Sequence, residues 1–320
     1  MRVVVALGGN AILRKGARGS AEEQRDTVRS ACAQLTDLVQ AGHELILTHG
    51  NGPQVGRLLI QQRAAAHEVP AMPLDLLGAQ TQGMLGVLLQ QQLGNELRAR
   101  GLERPVVTVV TQVLVDAHDP AFDAPDKPVG PHYTETELEF LTATAAPAGE
   151  LWTVGRAVFR KVEGGLWRRV VASPQPLDIM EAVAIRALVG AGVIPVCAGG
   201  GGMPVALSGR ALAGVEAVID KDRTAALLTR LVEADALLVL TDVDAVRLGH
   251  GTPEERPIDE LSPEDARKLL ADGEFPAGSM GPKVSAAADV AARGGVAVIS
   301  SLACAADALA GRAGTRFVAP

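Results

Sequence analysis

Aromatic side chains are scarce. The 320 residues include five Phe, two Trp and one Tyr, too few to line a track of stacking platforms for single-stranded nucleic acid. Basic charge is not in excess either. Thirty Lys and Arg against 37 Asp and Glu leave a formal charge of −7, so the phosphate attraction that underlies DNA and RNA binding is missing. No apolar run approaches the roughly 18 residues of a bilayer span. The apolar stretch 1–7 runs straight into Gly8, Gly9 and Asn10, too short for a signal-peptide core. Cysteine is limited to Cys32, Cys197 and Cys304, an odd, widely spaced set among apolar neighbours. That pattern reads as buried thiols in a reducing compartment, with the cytoplasm as the expected location. Familiar catalytic signatures are absent too. There is no G-x-x-x-x-G-K-[ST], H-E-x-x-H, paired C-x-x-C or G-x-S-x-G, and residues 50–56 do not fit G-x-G-x-x-G.

What remains is an aliphatic chain whose apolar period switches repeatedly between strand and helix. Residues 3–7 are a continuous β-rich apolar run of the kind covered on both faces, and 44–48, 106–110, 193–198, 236–241 and 296–300 read as further strands. Helical patterns lie around residues 54–66, 76–100, 178–190, 222–233, 263–271 and 282–293, with a further helix opening at Ser20. Ser20 and Glu23 form a capping box there, and Val28, Cys32, Leu35 and Val39 make one apolar stripe. This alternation predicts an α/β fold with a mainly parallel sheet between helices. Residues 116–172 break the rhythm with Pro120, Pro125, Pro128, Pro131 and Pro147. They are expected to form a small subdomain, with Lys127 on a proline-framed loop and a hairpin turning at residues 163–165. A boundary between two lobes, 1–203 and 204–320, is expected after the four glycines 199–202.

The glycine clusters share an address. Gly8, Gly9 and Asn10 follow the first strand, Gly50, Asn51 and Gly52 the second, and Gly199 to Gly202 another. In open α/β sheets ligands bind beyond the carboxyl ends of strands, where backbone N–H groups and helix N-termini favour anions. Lys127, Lys221 (between Asp220 and Asp222) and Lys283 come from separate loops or helix starts. Phosphoryl transfer needs positioning and neutralisation of spread negative charge, which such lysines and glycine loops supply without a nucleophile. The Asp242-Val243-Asp244 sequence after the 236–241 strand resembles a phosphatase motif, but that motif needs a further acidic pair about a domain's length downstream. The 74 residues after Val246 contain no convincing one, and a turn-capping role is the better reading.

Read together, several segments resemble carbamate kinases of the amino acid kinase superfamily. They are Ala6-Leu7-Gly8-Gly9-Asn10, Thr48-His49-Gly50-Asn51-Gly52-Pro53, Lys127-Pro128-Val129-Gly130-Pro131, Ser173-Pro174-Gln175-Pro176, Gly199 to Pro204, Glu216 to Asp222 and Gly278 to Lys283. The resemblance implies an open, mainly parallel eight-stranded sheet in a three-layer sandwich, a small protruding subdomain and a homodimer. It implies the reaction ATP + carbamate ⇌ ADP + carbamoyl phosphate, run toward ATP in arginine breakdown. The N-terminal lobe would hold carbamate or carbamoyl phosphate and the C-terminal lobe the nucleotide. Lys127, Lys221 and Lys283 would neutralise the transferring group, and Asp220 would orient the lysines. Gly8, Gly9, Asn10, Gly50, Asn51, Gly52, Gly200 and Gly201 would bind substrate phosphates. Asp242, Met280 and Gly281, with Lys221 and Lys283, would meet the nucleotide. Magnesium would arrive on the nucleotide phosphates with no dedicated ligand cluster, and neither nucleic acid nor membrane is an expected partner. His132, Ala172 and Arg247 stand where that family commonly has Phe, Pro and Tyr. A sibling kinase for acetylglutamate or aspartate, and a non-catalytic sensor, are the alternative readings.

Overall fold

Strand Arg2–Leu7 is apolar on both sides, and its alternating side chains enter two different cores. In the computed structural model, Val4 and Ala6 pack with Ile46, Leu237 and Ile299, whereas Val3, Val5 and Leu7 pack with Leu45, Leu47 and Leu240. The structure describes residues 1–14, 16–142, 149–154, 157–275 and 278–319. A strand buried on both faces requires helices on both. Helices Ala182–Gly190, Lys221–Leu231 and Met280–Ala291 cover the first face through Ile185, Leu228 and Ala287. Ala21–Gln40 and Leu74–Ala99 cover the second through Cys32, Leu35, Leu85 and Leu89. The architecture is a three-layer α/β sandwich.

Among the described residues the large sheet has eight strands. In spatial order they are Glu260–Leu261, Thr315–Phe317, Val296–Ser301, Ala236–Thr241, Arg2–Leu7, Glu44–His49, Ile194–Val196 and Val106–Thr108. Neighbours run parallel except that Thr315–Phe317 is antiparallel to Val296–Ser301. The expected capping box is present: Ser20 Oγ accepts from the Glu23 N–H at 3.2 Å, and the Glu23 carboxylate accepts from the Ser20 N–H at 2.8 Å.

Two smaller sheets flank the cleft described below. One has the order Ala211–Gly214, Met203–Ser208, Gln112–Leu114, Asp178–Ile179. The other, Lys127–Tyr133, Trp167–Val171, Ala157–Lys161, Leu151–Val154, has its own core of Leu138, Trp152, Phe159 and Trp167. There the two tryptophan rings meet edge to face with centroids 5.5 Å apart. Of the stretch 116–172, residues 143–148 (with Pro147) and 155–156 lie outside the described residues.

Several local expectations are corrected. Lys127 opens a strand instead of sitting in a loop. That strand lies at the edge of its sheet, where Pro128 and Pro131 leave no inner ladder donor missing, and a bulge between Val129 and His132 absorbs Gly130 at φ +73°. The strand expected at 106–110 stops at Thr108, because the chain crosses to the second sheet at Gln112. Residues 178–179 pair with Gln112–Leu114, and the helix starts only at Ala182. Position 204 falls inside strand Met203–Ser208, which pairs with Gln112–Leu114, so the chain re-enters the large sheet only at Ala236.

Candidate active site

Ala236–Thr241, Arg2–Leu7, Glu44–His49 and Ile194–Val196 are adjacent parallel strands, so their carboxyl ends share one edge of the sheet. Each releases the chain into a loop of small or polar residues there. The Gly8 N–H donates to the Leu240 carbonyl at 2.8 Å, and a Cβ at Gly8 would stand only 2.9 Å from that oxygen. Glycine lets the two strand ends meet. At φ +68°, Gly200 lies where a Cβ would overlap the Asn51 carboxamide. Asn51 stands at the start of helix Gly52–Ala65, but its side chain donates to Thr81 Oγ1 at 2.8 Å and does not cap the helix. Pro53 has no N–H and Gln54 and Val55 donate to the Asn51 carbonyl, both at 2.9 Å, so among the described residues the Gly52 N–H is the first-turn donor left open to an anion.

Three cavities follow this edge in sequence. The first, about 240 Å³, lies under the protruding sheet and is lined by Gly50, Asn51, Gly52, Lys127, Arg168 and Gly200, with Asp220, Lys221 and Lys283 at its inner end. The second, about 340 Å³, is lined by Gly8, Gly9, Asn10, Thr241, Asp242 and Ser279, again with Lys221 and Lys283. The third, about 200 Å³, shares Thr241, Asp242 and Ser279 with the second and adds Val243, Arg247, Phe275 and Met280. Lys221 and Lys283 thus stand where the first cavity meets the second. A group passing from one to the other meets both ammoniums.

The lysines are held by two carboxylates, not one. Lys127 Nζ donates to Asp220 Oδ2 at 2.7 Å. Asp220 also caps helix Lys221–Leu231, accepting from the Asp222 N–H at 2.9 Å. Lys221 and Lys283, however, both reach Asp222, Lys221 at Oδ1 and Lys283 at Oδ2, 3.3 Å away. Asp220, expected to orient the lysines, is hydrogen-bonded to Lys127, whereas Lys221 and Lys283 are hydrogen-bonded to Asp222. Asp222 turns inward beside the cap and is 3% exposed. Its place one residue after Lys221 was the visible signal, but the Lys283 contact spans 61 residues and needs the fold. Burial alone would raise the Asp220 carboxyl, but Lys127, the Asp222 N–H and Lys221 outweigh it and hold it below the usual carboxylate range.

Most of the other expected residues reach the cavities. Gly201 and Gly281 are buried and line none of the three. A Cβ at Gly201 would strike the Ile219 backbone, so this glycine serves chain packing. Asn10 Nδ2 donates to Asp242 Oδ2 at 3.2 Å across the second cavity. Asp244 accepts from the Ala245 N–H and pairs with Arg247, a turn cap as read. Arg168 was not anticipated: strand alternation buries Trp167 in the subdomain core and turns Arg168 to the first cavity, where Nε donates to the Gly130 carbonyl at 3.3 Å.

His49 ends its strand almost wholly buried, with Nδ1 3.0 Å from the Gly50 carbonyl. Only a protonated Nδ1 can donate to that oxygen. Burial, aided by Lys221 and opposed by the Gly50 contact, pushes the imidazole down to about 4. The unfolded chain binds this proton near pH 6.5 and the folded chain does not. Stability is therefore complete above pH 6.5 and falls as pH drops toward 4. Relative to His49→Gln, the native protein should lose roughly 3 kcal/mol over that window, as read by denaturant unfolding at stepped pH. Parallel curves for the two proteins would show that folding leaves the His49 imidazole titrating as it does in the unfolded chain.

Residues 1–299 match the Amino acid kinase family. Carbamate kinase from Pyrococcus furiosus is 46% identical over 99% of both chains, and carbamate kinase from Halobacterium salinarum is 48% identical over 98% of this chain and 97% of its own. The chain belongs to the carbamate kinase family. Among solved structures, carbamate kinase from Giardia lamblia bound to AMP-PNP superposes with a TM-score of 0.91 at 41% identity, over 100% of this chain and 98% of that one. A Neisseria gonorrhoeae N-acetylglutamate synthase shares the fold alone, with a TM-score of 0.56 at 18% identity over 59% of that chain. The three residues at which the resemblance led us to expect a different side chain lie in different places. Arg247 faces the third cavity, Ala172 is buried with its carbonyl accepting from the Val218 N–H at 3.0 Å, and His132 is exposed on its edge strand.

Proposed function

We propose that the protein catalyses ATP + carbamate ⇌ ADP + carbamoyl phosphate by direct in-line transfer. A carbamate oxygen attacks the γ-phosphorus as the bond to the ADP oxygen breaks, and the reverse step runs through the same arrangement. The observation that carries this reading is the position of Lys221 and Lys283 at the junction of two cavities. Charge on the transferring group is neutralised there, with Lys127 approaching from the protruding sheet. Gly8 to Asn10 and Gly50 to Gly52 contribute backbone donors on either side. ATP formation from ADP and carbamoyl phosphate, measured by a coupled assay, tests the reaction. Phosphorylation of acetylglutamate or aspartate with no turnover of carbamoyl phosphate would replace it with the sibling kinase reading.

The nucleotide is assigned to the residues after the second sheet and the acceptor to those before it. Support comes from the third cavity, lined from Thr241 to Met280. Among the described residues no group of three or more His, Cys, Asp or Glu forms a metal cage. Magnesium would enter with the nucleotide phosphates and water, and Asp242, which no lysine among the described residues engages, is the carboxylate facing them. Such an ion supplies further charge neutralisation. Lys127→Ala should impair carbamoyl-phosphate use strongly and leave ADP affinity nearly intact, because Lys127 lines the first cavity only. Calorimetry showing lost ADP binding with carbamoyl-phosphate binding retained would reverse the two assignments.

A homodimer is supported by Leu76, Met84 and Val87, exposed apolar residues on helix Leu74–Ala99, which packs beside the edge strand Val106–Thr108. Light scattering should give twice the chain mass, and Met84→Glu with Val87→Glu should halve it. Among the described residues no helix is long and apolar enough to cross a membrane. Cys32, Cys197 and Cys304 are free thiols, in keeping with a cytoplasmic site.

A further inference from the structure

A fourth cavity, about 200 Å³, shares no lining residue with the three on the strand edge. It lies between helices Lys221–Leu231 and Met280–Ala291, with the segment after Ser173 as its third wall. Arg223, Arg230 and Arg293 all line it, against a single carboxylate, Asp289. Three guanidiniums and one acid leave two positive charges in one notch, on a chain whose formal charge is −7. None of these four side chains makes an ion pair among the described residues. Arg223 is half-buried, fixed by Nη1 donating to the Ser173 carbonyl at 3.4 Å, while Arg230 and Arg293 are exposed at the rim.

Like charges around one concavity repel unless an anion joins them. Guanidinium forks match phosphate oxygens in a planar, two-point fashion that ammonium groups do not. We propose that this notch binds a small phosphate-bearing polyanion, at a site separate from the phosphoryl-transfer centre. Its ligand class is a compact metabolite with adjacent phosphate or phosphate and carboxylate groups, for which pyrophosphate is the probe. Arg223 lies two residues from Lys221 on the same helix, so the occupant sits against the element that carries a transfer lysine.

Pyrophosphate titrated into the full-length protein by calorimetry should reveal two classes of site. R230A/R293A should weaken one class at least tenfold without changing the rate of ATP formation, and K221A/K283A should remove the other. Both arginines are exposed and unpaired, so the double variant should fold. R293Q alone should still weaken the same class measurably if it does not. Retention of both classes in R230A/R293A overturns the proposal. So does a single class of site that disappears in K221A/K283A.

Discussion

Lys221→Ala and Lys283→Ala should each lower kcat about 10²–10³-fold while the melting temperature stays within a few degrees of the parent. The two ammoniums line both the cavity under the protruding sheet and the glycine-lined cavity beside it. A contact that strengthens as charge spreads over the transferring group lowers the barrier and adds little to ground-state binding. Losing one such contact typically costs roughly 3–4 kcal/mol of barrier. Stability should change little, because Asp222 retains the other lysine in each single variant. Steady-state kinetics beside thermal melts reads both quantities. A parent-like kcat at unchanged melting temperature would take that lysine out of the transfer step.

Asp222→Ala should be damaging in a different way, costing both stability and turnover. Its carboxylate is nearly inaccessible and holds Lys221 on one oxygen and Lys283 on the other. Removing it leaves two like charges facing each other without the carboxylate that both of them contact, and Asp220, paired with Lys127, replaces it only in part. Breaking a buried ion pair from one side costs about 3–5 kcal/mol. The lower end applies here, since each lysine opens onto a cavity where water can reach it. Turnover should also fall by about two orders of magnitude, because the ammoniums are no longer aimed at the junction. Asp222→Asn preserves the shape but not the charge, and should lose activity while keeping more of the stability. Denaturant unfolding that matches the parent, with kcat retained, would show that the lysines position themselves.

Much of this was legible in the chain. The double-sided apolar run at 3–7 already required helices on both faces of a parallel sheet, since a strand with no polar face cannot border water. The Ser20 and Glu23 box located a helix start through contacts only three residues apart. Lys127 illustrates the opposite case. Flanking prolines read as a loop, yet they are compatible with an edge strand, and only the pairing with Trp167–Val171 decides between the two. Residues 178–179 likewise carry an apolar pattern that serves strand or helix, and the neighbouring Gln112–Leu114 ladder made the choice.

The sequence by itself therefore determined the layers of the sandwich, the glycine loops at the strand ends and the three lysines, because each rests on periodicity or on residue types within a short window. The tertiary structure alone decided which carboxylate holds which lysine, that Arg168 faces the cavity under the protruding sheet and that Gly201 and Gly281 line none of the three cavities. Those outcomes depend on contacts such as Lys127 to Asp220, 93 residues apart, and Lys283 to Asp222, 61 apart. Side-chain geometry at such separations is set by how adjacent strands end and how helices cross them, and no local pattern encodes it.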